Sequence, residues 1–467
     1  MKDNFVKELE KKHMIMLSLG GVIGTGIFLS TGYLIQSAGA VGTILAYAIG
    51  AVLVCLVMLC LGELTVHEPN TGAFHTYAAK YIHPGVGFVV AWLYWLTWTV
   101  ALGSQFITLG LLCQHWFPTI PTWIWALFFA VLTLALNVIN LKIFSTSEFW
   151  MSLIKVVAIV AFLIIGFAGV FGFVPYGNTG VAPYFSEFTK NGLFPEGIGA
   201  VLLVVLSANF AFSGTELISV AAGESDNPRR DVPKAIVQTL ITLIVLFIGT
   251  IIVLGALLPQ ETAGLSESPF VTVLQNFGIP YVADVMNFIL IVTVLSGANS
   301  GLYAASRMLW SLADKGTLPH QFAKLSKNGL PIYGLLFTTL GGFLALFSSV
   351  YAPETVYLAL VSISGFAVVA VWLIIGWAQL NFRRHYLKNG GQLSELGFVT
   401  PWYPVVPWAV IILCLVSIVG IFFDPNQRIA IYIGLPFSIL CFLYYQFFFK
   451  GKGELHAESY ELTNSRS

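Results

Sequence analysis

The sequence predicts an all-α membrane protein with twelve transmembrane helices. Of its 467 residues, 57% are hydrophobic and only 9% are charged, and the mean hydropathy is +0.85. A soluble domain carries about 25% charged residues, so this chain has too few to cover a surface in water. Its apolar runs are long and uninterrupted, near the ~20 residues that cross ~30 Å of hydrocarbon, whereas barrel strands alternate over ~10 residues.

Charges and turn residues separate the apolar runs and define the twelve spans. The third and fourth spans share one uncharged run, in which the segment QHWFPTIPTW supplies the turn, because proline ends helices. We expect one transmembrane domain, about 14–450, between an N-terminal tail, 1–13, and a C-terminal tail, 451–467. The expected span cores are 15–37, 42–61, 86–112, 123–140, 150–173, 198–222, 235–258, 283–308, 332–350, 355–381, 404–423 and 429–448.

The distribution of Lys and Arg predicts the orientation. With a cytoplasmic N-terminus, 19 of the 22 basic residues fall on the cytoplasmic side and only Lys190 and Arg428 fall outside. The remaining one, Lys155, falls within the fifth span. This positive-inside bias predicts that both termini are cytoplasmic.

Composition and spacing also limit the partners. The 22 acidic residues balance the 22 basic ones, so no nucleic-acid partner is expected. The five cysteines show neither metal spacing nor a disulfide pattern, and no metal or other cofactor is expected. The loop histidines after the second span, His67, His75 and His83, also lack metal spacing and are expected to be solvated.

The first span contains the segment SLGGVIGTGIFLS, in which four of thirteen residues are glycine. Each glycine weakens a helix by roughly 1 kcal/mol relative to alanine. One interpretation is a helix that is interrupted at membrane depth and offers free peptide groups to a ligand. The alternative is a close-packing face, since Gly20 and Gly24 have the small-xxx-small spacing of helix pairs.

The sixth span has a second candidate interruption, Ser213-Gly214-Thr215, followed by Glu216 at membrane depth. The first and sixth spans are five helices apart. That distance suggests two five-helix repeats, about 14–174 and 197–382, with two extra helices within about 403–449.

Four segments carry a resemblance to a known family. They are SLGGVIGTGIFLSTG, CLGELTVHEPNTGAFHTYA, FAFSGTELISVAAGESDNPRRDVPKAI and LSGANSGLYAASRMLWSLADKGTLP. Together they resemble the bacterial amino acid transporter family of the amino acid–polyamine–organocation superfamily, along about 12–450. AWLYWLTWTVALGS and ISGFAVVAVWL are most similar to S-methylmethionine permeases, with lysine-specific permeases next.

The resemblance implies a five-plus-five inverted repeat with broken first and sixth helices, alternating access, and proton-coupled amino acid uptake across the bacterial inner membrane. S-methylmethionine or a cationic amino acid such as lysine is the implied substrate. A substrate-binding nutrient sensor of the same fold and an amino acid exchanger are the alternatives. No catalytic constellation indicates an enzyme. The expected partners are the amino acid, the proton and the lipid bilayer.

The resemblance also implies substrate residues. The substrate carboxylate would meet the backbone near Ile23, Gly24, Thr25 and Gly26, and the substrate ammonium the carbonyls of the sixth span. Aromatic rings would face the substrate side chain, although such rings are also common in a protein core or against lipid. The sixth-span segment is Phe210, Ala211 and Phe212, the rings of the third span are Tyr94 and Trp98, and Glu216 is the carboxylate that could balance a cationic substrate.

Lys155 is the expected centre of proton coupling, because ionisable groups at membrane depth are rare and usually functional. By resemblance, its ammonium would reach carbonyls near Gly20 and Ile23 and the eighth span near Ser296 and Asn299. The alternative is a side chain that extends to the cytoplasmic face. Glu216 could also relay protons. Glu224 could do so too, or could form a helix-end ion pair with Arg229 and Arg230; Glu63 is expected to be structural or gating.

Overall fold

A computed structural model of the chain describes residues 9–177, 182–264, 268–348, 353–423 and 427–449. Within these ranges, nine helices are long and apolar enough to cross a membrane. One of them, Thr31–His67, holds the end of the first span and all of the second. The first and sixth spans consist of shorter helical pieces, and the ninth is a single helix of 17 residues, Ile332–Ser348. These three complete the twelve predicted spans. The uninterrupted spans from the third onward are Pro84–Gln114, Thr122–Ile139, Leu141–Val170, Pro228–Leu257, Val282–Asp314, Ile332–Ser348, Pro353–Lys388, Val405–Gly420 and Ile429–Phe448.

Three expectations fall partly or wholly outside the described residues: most of the N-terminal tail, the C-terminal tail and residues 349–350 of the ninth span. The fifth span differs most from its expected core, because its helix begins at Leu141 rather than near 150. The Asn140 side chain caps this helix by accepting a hydrogen bond from the Ile143 N–H at 2.7 Å. Glu148 therefore lies inside the fifth span.

The first span is broken in its middle. The helix Lys11–Val22 ends where Ile23 adopts an extended conformation, and a short π-helical segment, Gly26–Ser30, follows the break. Thr31 then begins the next helical piece, which turns at Gly39 into the second span. Gly39 has a φ of +72°, which glycine adopts readily and other residues rarely do.

The sixth span is broken in the same manner. Its first piece is Gly197–Ala211 and its second is Leu217–Ala222. The residues between them include the predicted Ser213-Gly214-Thr215, and Gly214 has a φ of +108°. Both interruptions that the sequence predicts are therefore present.

The order of elements repeats along the chain. A broken span followed by four continuous spans occurs twice, and two further spans follow. Each half also carries a short helix between its second and third spans, Ala73–Tyr81 in the first half and Pro269–Gln275 in the second. This order matches the expected division into two five-helix repeats and two extra helices.

The third and tenth spans form the interior, since 78% of the residues in the most apolar stretch of each are buried. The corresponding share of the twelfth span is 22%, so this span lies at the periphery.

A buried ion pair joins the second span to the tenth. Arg383 Nε donates to Glu63 Oε1 at 2.6 Å, and the Thr400 N–H donates to Glu63 Oε2 at 2.6 Å. The structural role expected for Glu63 fits these contacts.

The loop after the second span corrects one expectation. His75 is not solvated but lies buried in the short helix Ala73–Tyr81. Its Nε2 atom is 2.7 Å from Ser311 Oγ. Burial, and secondarily the nearby Lys315 ammonium, hold the pKa of His75 well below its usual range. His75 is therefore a neutral part of the packing between this loop and the eighth span.

We expect Gly26→Ala to destabilise the protein, because the two broken spans touch at this residue. A Cβ on Gly26 would lie 2.8 Å from Ala211 Cα and 3.0 Å from Ala211 Cβ. Overpacking of this kind costs about 1–3 kcal/mol, which would lower the thermal-unfolding midpoint of the purified protein. Gly199→Ala is the matched control, since nothing lies within 4 Å of a Cβ there. Equal midpoints for both variants would contradict the close approach of the spans.

Candidate functional site

The two broken spans face each other at their interruptions. Ser18 Oγ, on the first span, donates to the Gly214 carbonyl at 3.4 Å. A Cβ on Gly214 would lie 2.8 Å from the carbonyl carbon of Gly21, so glycine is needed where the backbones approach. Irregular backbone at membrane depth is tolerated where it is buried in protein or lines a cavity, and here both conditions hold.

A cavity lies beside these interruptions, and the space within it that a water-sized molecule can enter is about 20 Å³. Residues from the first, third, sixth and tenth spans surround it. They are Gly21, Val22, Gly24, Thr25, Gly26, Thr97, Trp98, Ala101, Gln105, Phe210, Ser213 and Ser364.

Half of the ten substrate residues expected from the sequence line this cavity. They are Gly24, Thr25, Gly26, Trp98 and Phe210. Each lies on an element that the sequence analysis singled out. Their roles in binding remain predictions.

Two expected residues of the sixth span lie behind the lining. Ala211 packs against Gly26. The Phe212 ring packs instead against Tyr47 and Phe247, with ring centroids 5.9 and 5.2 Å apart. Phe212 therefore fills the core toward the second and seventh spans, so Phe210 is the ring that can cover a ligand in the cavity.

Tyr94 and Trp98 share a face of the third span, as expected from their spacing of four residues. Their rings meet edge to face with centroids 6.1 Å apart. Only Trp98 reaches the cavity. Tyr94 is fully buried against Phe74, with a centroid distance of 4.7 Å, and adjoins Glu216.

Glu216 follows the break in the sixth span and is fully buried. Its carboxylate accepts the Gly214 N–H at 3.1 Å and the Trp372 indole N–H at 3.3 Å. The Thr215 hydroxyl lies 3.5 Å from the same carboxylate. These three partners are neutral. Glu216 is not part of the cavity lining, but it lies next to Ser213, which is.

The third span contributes polar groups that the sequence analysis missed. Gln105 lines the cavity, and neither its Oε1 atom nor the Trp98 indole N–H has a hydrogen-bond partner within the described residues. Buried polar groups normally have such partners, so both atoms are available to a ligand. The sequence did contain a signal for Gln105, because Trp98, Ala101 and Gln105 lie on one face of the third-span helix.

Lys155 is fully buried and does not extend to the cytoplasmic face. Its ammonium donates to the Gly20 carbonyl at 2.6 Å and to the Ile23 carbonyl at 2.8 Å. Gly20 and Ile23 flank the end of the first helical piece, where carbonyls lack their usual partners. Lys155 therefore binds the first span at its break, as expected. Ile23 contributes this carbonyl rather than a side of the cavity.

The eighth-span partners expected for Lys155 belong to another residue. Ser296 Oγ donates to Glu148 Oε1, and Asn299 Nδ2 donates to Glu148 Oε2 at 2.8 Å. Among the described residues, the side-chain hydrogen bonds of Ser296 and Asn299 go to Glu148 and Asn137 rather than to the Lys155 ammonium. The sequence analysis missed Glu148 because the fifth span was expected to begin after it.

Glu224, the other expected proton-coupling residue, forms a buried ion pair. Arg307 Nε, on the eighth span, donates to Glu224 Oε1 at 2.9 Å. The partner is therefore Arg307, not Arg229 or Arg230. The Leu9 N–H also donates to the Glu224 carbonyl at 3.2 Å, so the chain before the first span, the end of the sixth and the eighth are joined here.

The described residues contain no group of three or more His, Cys, Asp and Glu side chains placed to hold a metal ion. The cavity instead offers groups that can bind a ligand. They are peptide groups at the breaks, an aromatic face, amide and hydroxyl groups, and a buried carboxylate behind the lining. These features suit a small polar molecule that carries charges of both signs.

Comparison with known proteins agrees with this picture. The amino acid permease family model matches residues 13–454. A protein of Bacillus subtilis (strain 168) named "Putative histidine permease" is 48% identical over 442 residues, which cover 94% of this chain and 93% of that protein. "Amino-acid permease RocE" of the same organism is 44% identical, covering 97% of each chain. "Lysine-specific permease LysP" of Escherichia coli (strain K12) is 33% identical, covering 94% of this chain and 93% of the relative.

The family match, the broken first and sixth spans and the cavity between them lead to one conclusion. The chain belongs to the amino acid permease family of the amino acid–polyamine–organocation superfamily, and it is an integral membrane transporter of amino acids rather than an enzyme.

Proposed function

We propose that the protein carries an α-amino acid with a cationic side chain into the cell, together with a proton, by alternating access. The observation that carries this proposal is an imbalance of buried charge. Among the described residues, the buried glutamates outnumber the buried lysines and arginines by four to three. The glutamates are Glu63, Glu148, Glu216 and Glu224, and the basic residues are Lys155, Arg307 and Arg383.

Three of these glutamates have a basic neighbour. Glu63 binds Arg383 and Glu224 binds Arg307, while Glu148 and Lys155 lie on the fifth span against the same part of the first. Glu216 is left with neutral partners. A buried carboxylate without a positive partner is costly, and a cationic group on the substrate would remove that cost.

The α-amino and α-carboxyl groups of the substrate would bind the two breaks. Gly24 and Thr25 lie between the helical pieces of the first span, where peptide N–H groups can bind a carboxylate. The carbonyls that end the first piece of the sixth span, near Phe210 and Ala211, suit an ammonium group. The substrate side chain would then extend toward Trp98, whose face can bind a cation.

Several amino acids share the required chemistry. Lysine, protonated histidine and S-methylmethionine each combine an α-amino acid with a positive side-chain group. The names of two relatives, "Putative histidine permease" and "Lysine-specific permease LysP", support this class. We therefore assign a class of substrate, defined by its positive charge.

Lys155 would couple transport to the proton. Its ammonium holds the Gly20 and Ile23 carbonyls at the break of the first span. Loss of the proton would weaken these bonds and free the first span to move relative to the fifth. The coupling thus acts on the same backbone that binds the substrate carboxylate.

The proposed location is the inner membrane of a bacterial cell, with both termini in the cytoplasm. The support is the positive-inside distribution of Lys and Arg. In this orientation, the Glu224–Arg307 pair lies toward the cytoplasm and the start of the eighth span lies outside.

Glu216→Gln should weaken uptake of a cationic amino acid. A hydrogen bond to a charged group contributes about 1.5–3 kcal/mol, so we expect roughly 10- to 100-fold weaker affinity for lysine and S-methylmethionine. Radiolabelled uptake into proteoliposomes measures this change. Glu187→Gln, at a half-buried carboxylate in the short helix Glu187–Lys190 away from the cavity, is the matched control. Unchanged affinity in Glu216→Gln would contradict a cationic substrate.

Lys155→Ala and Lys155→Arg should both lose proton-driven accumulation. Arginine stays charged and cannot release its proton, and alanine cannot bind one. In the wild type, an inward gradient of about 1 pH unit should support about tenfold accumulation per coupled proton. Accumulation in either variant equal to that of the wild type would remove Lys155 from the mechanism. Exchange of substrate by the wild type without accumulation would instead indicate an exchanger, and binding without transport a sensor.

A further inference from the structure

A second ionisable group lies close to Lys155, and the proposed function does not use it. Glu148 is buried, is on the same helix and is seven residues nearer the expected cytoplasmic end. We propose that Glu148 is the second proton-binding group of the coupling site, and that it receives the proton from Lys155 before the proton leaves toward the cytoplasm. This proposal rests on the proton coupling proposed above.

The Glu148 carboxylate is held in place by the eighth span. Ser296 Oγ donates to Oε1, and Asn299 Nδ2 donates to Oε2 at 2.8 Å. Asn299 is fixed in turn, because its Oδ1 accepts from Asn137 Nδ2, on the fourth span, at 2.7 Å. The carboxylate therefore has a fixed position between three spans, which a group that must receive a proton requires.

The first span lies against both ionisable groups at Gly20. Lys155 donates to the Gly20 carbonyl at 2.6 Å. A Cβ on Gly20 would overlap Glu148 Oε1 and Ser152 Oγ, so Gly20 is in contact with the Glu148 side as well. Glycine at this position lets the helix lie against both groups at once.

Ser152 lies on the same face of the fifth span, between Glu148 and Lys155. Its Oγ atom is 3.2 Å from Glu148 Oε1 and donates to the Met16 carbonyl at 2.8 Å. Two helical turns, about 10 Å, separate Glu148 from Lys155 along the axis. The Ser152 hydroxyl lies between the two residues along the helix and is thus placed to pass a proton from one side chain to the other.

The charged surroundings of Glu148 are simple. Lys155 is the charged group beside it on the fifth span. The eighth span presents the neutral Ser296, Asn299 and Ser300, and the fourth span presents neutral Asn137. On the first span, the titratable His13 packs edge-on against Phe149, the residue after Glu148, with a centroid distance of 6.4 Å.

This environment favours an internal transfer. The step breaks one N–H bond on the Lys155 ammonium and forms one O–H bond on the Glu148 carboxylate. The products are a neutral amine and a neutral carboxylic acid, so the net charge of the pair is zero before and after. Burying a net charge is costly, and the pair avoids that cost while the proton moves. The proton then leaves Glu148 for cytoplasmic water and restores the carboxylate.

The transfer would also change the hydrogen bonds between Glu148 and the eighth span. A carboxylate accepts from both Ser296 and Asn299, whereas a protonated acid is itself a donor at one oxygen. The bonds that join the fifth span to the eighth would therefore rearrange when Glu148 gains its proton. Proton transfer would loosen the Lys155 bonds to the first span and the Glu148 bonds to the eighth span in one step.

The experiment compares two modes of transport in proteoliposomes that contain Glu148→Gln. Counterflow exchanges substrate without net proton movement, whereas accumulation under an inward gradient of about 1 pH unit requires coupling and should reach about tenfold per proton in the wild type. Glu148→Gln should retain counterflow and lose accumulation. Glu148→Asp, which keeps a carboxyl group, should recover part of the accumulation.

Ser152→Ala provides a second variant that does not depend on the folding of Glu148→Gln. It should slow accumulation while counterflow continues. Ser145→Ala, whose hydroxyl only donates to the Lys142 carbonyl on its own helix at 3.2 Å, is the matched control and should behave as the wild type.

Two outcomes would overturn the relay. One is accumulation by Glu148→Gln equal to that of the wild type. The other is equal loss of counterflow and accumulation in Glu148→Gln without recovery in Glu148→Asp, because Glu148 would then be a structural anchor. If the wild type itself does not accumulate substrate under the gradient, the proton-coupled function fails, and that result is separate from the comparison of variants.

Discussion

The structure depends on the loss of helical geometry halfway along two spans. Peptide groups inside a membrane must be satisfied within the protein, so a break is stable only where other groups supply the missing hydrogen bonds. At the first span, the Lys155 ammonium binds the Gly20 and Ile23 carbonyls. At the sixth span, the Glu216 carboxylate binds the Gly214 N–H. Each break is thus stabilised by an ionisable side chain of opposite polarity to the exposed peptide groups.

Under the proposed function, this arrangement would link the substrate to the proton. The groups that stabilise the breaks, Lys155 and Glu216, are the groups whose charge would change or be balanced during transport. A substrate would interact with the same backbone that they bind. The remaining buried charges, Glu63 with Arg383 and Glu224 with Arg307, join spans to one another and do not line the cavity.

Much of this was accessible from the sequence, because the signals were local. The four glycines of SLGGVIGTGIFLS and the Ser213-Gly214-Thr215 segment marked the two breaks by residue type alone. The charge-free runs marked the spans, and the isolated position of Lys155 marked an ionisable group that is buried against the first break. Each of these signals is contained within about one helix.

The parts that sequence reasoning missed depend on contacts between distant helices. Glu148 was missed because one carboxylate near an expected helix end looks like a surface residue until the Asn140 cap extends the helix. Arg307 was missed as the partner of Glu224, because two arginines stood closer along the chain. Phe212 was expected near the substrate, but the break rotates its ring toward Tyr47 and Phe247. Rotation at a break and pairing across spans are properties of the packed structure.

The most direct test of this account is an experimental structure of the protein with a bound cationic amino acid. The account predicts that the substrate carboxylate lies on the peptide N–H groups near Gly24 and Thr25, with its ammonium at the carbonyls near Phe210 and its side chain on the Trp98 and Glu216 side of the cavity. A first and sixth span wound continuously from end to end, or an amino acid bound away from these breaks, would contradict it.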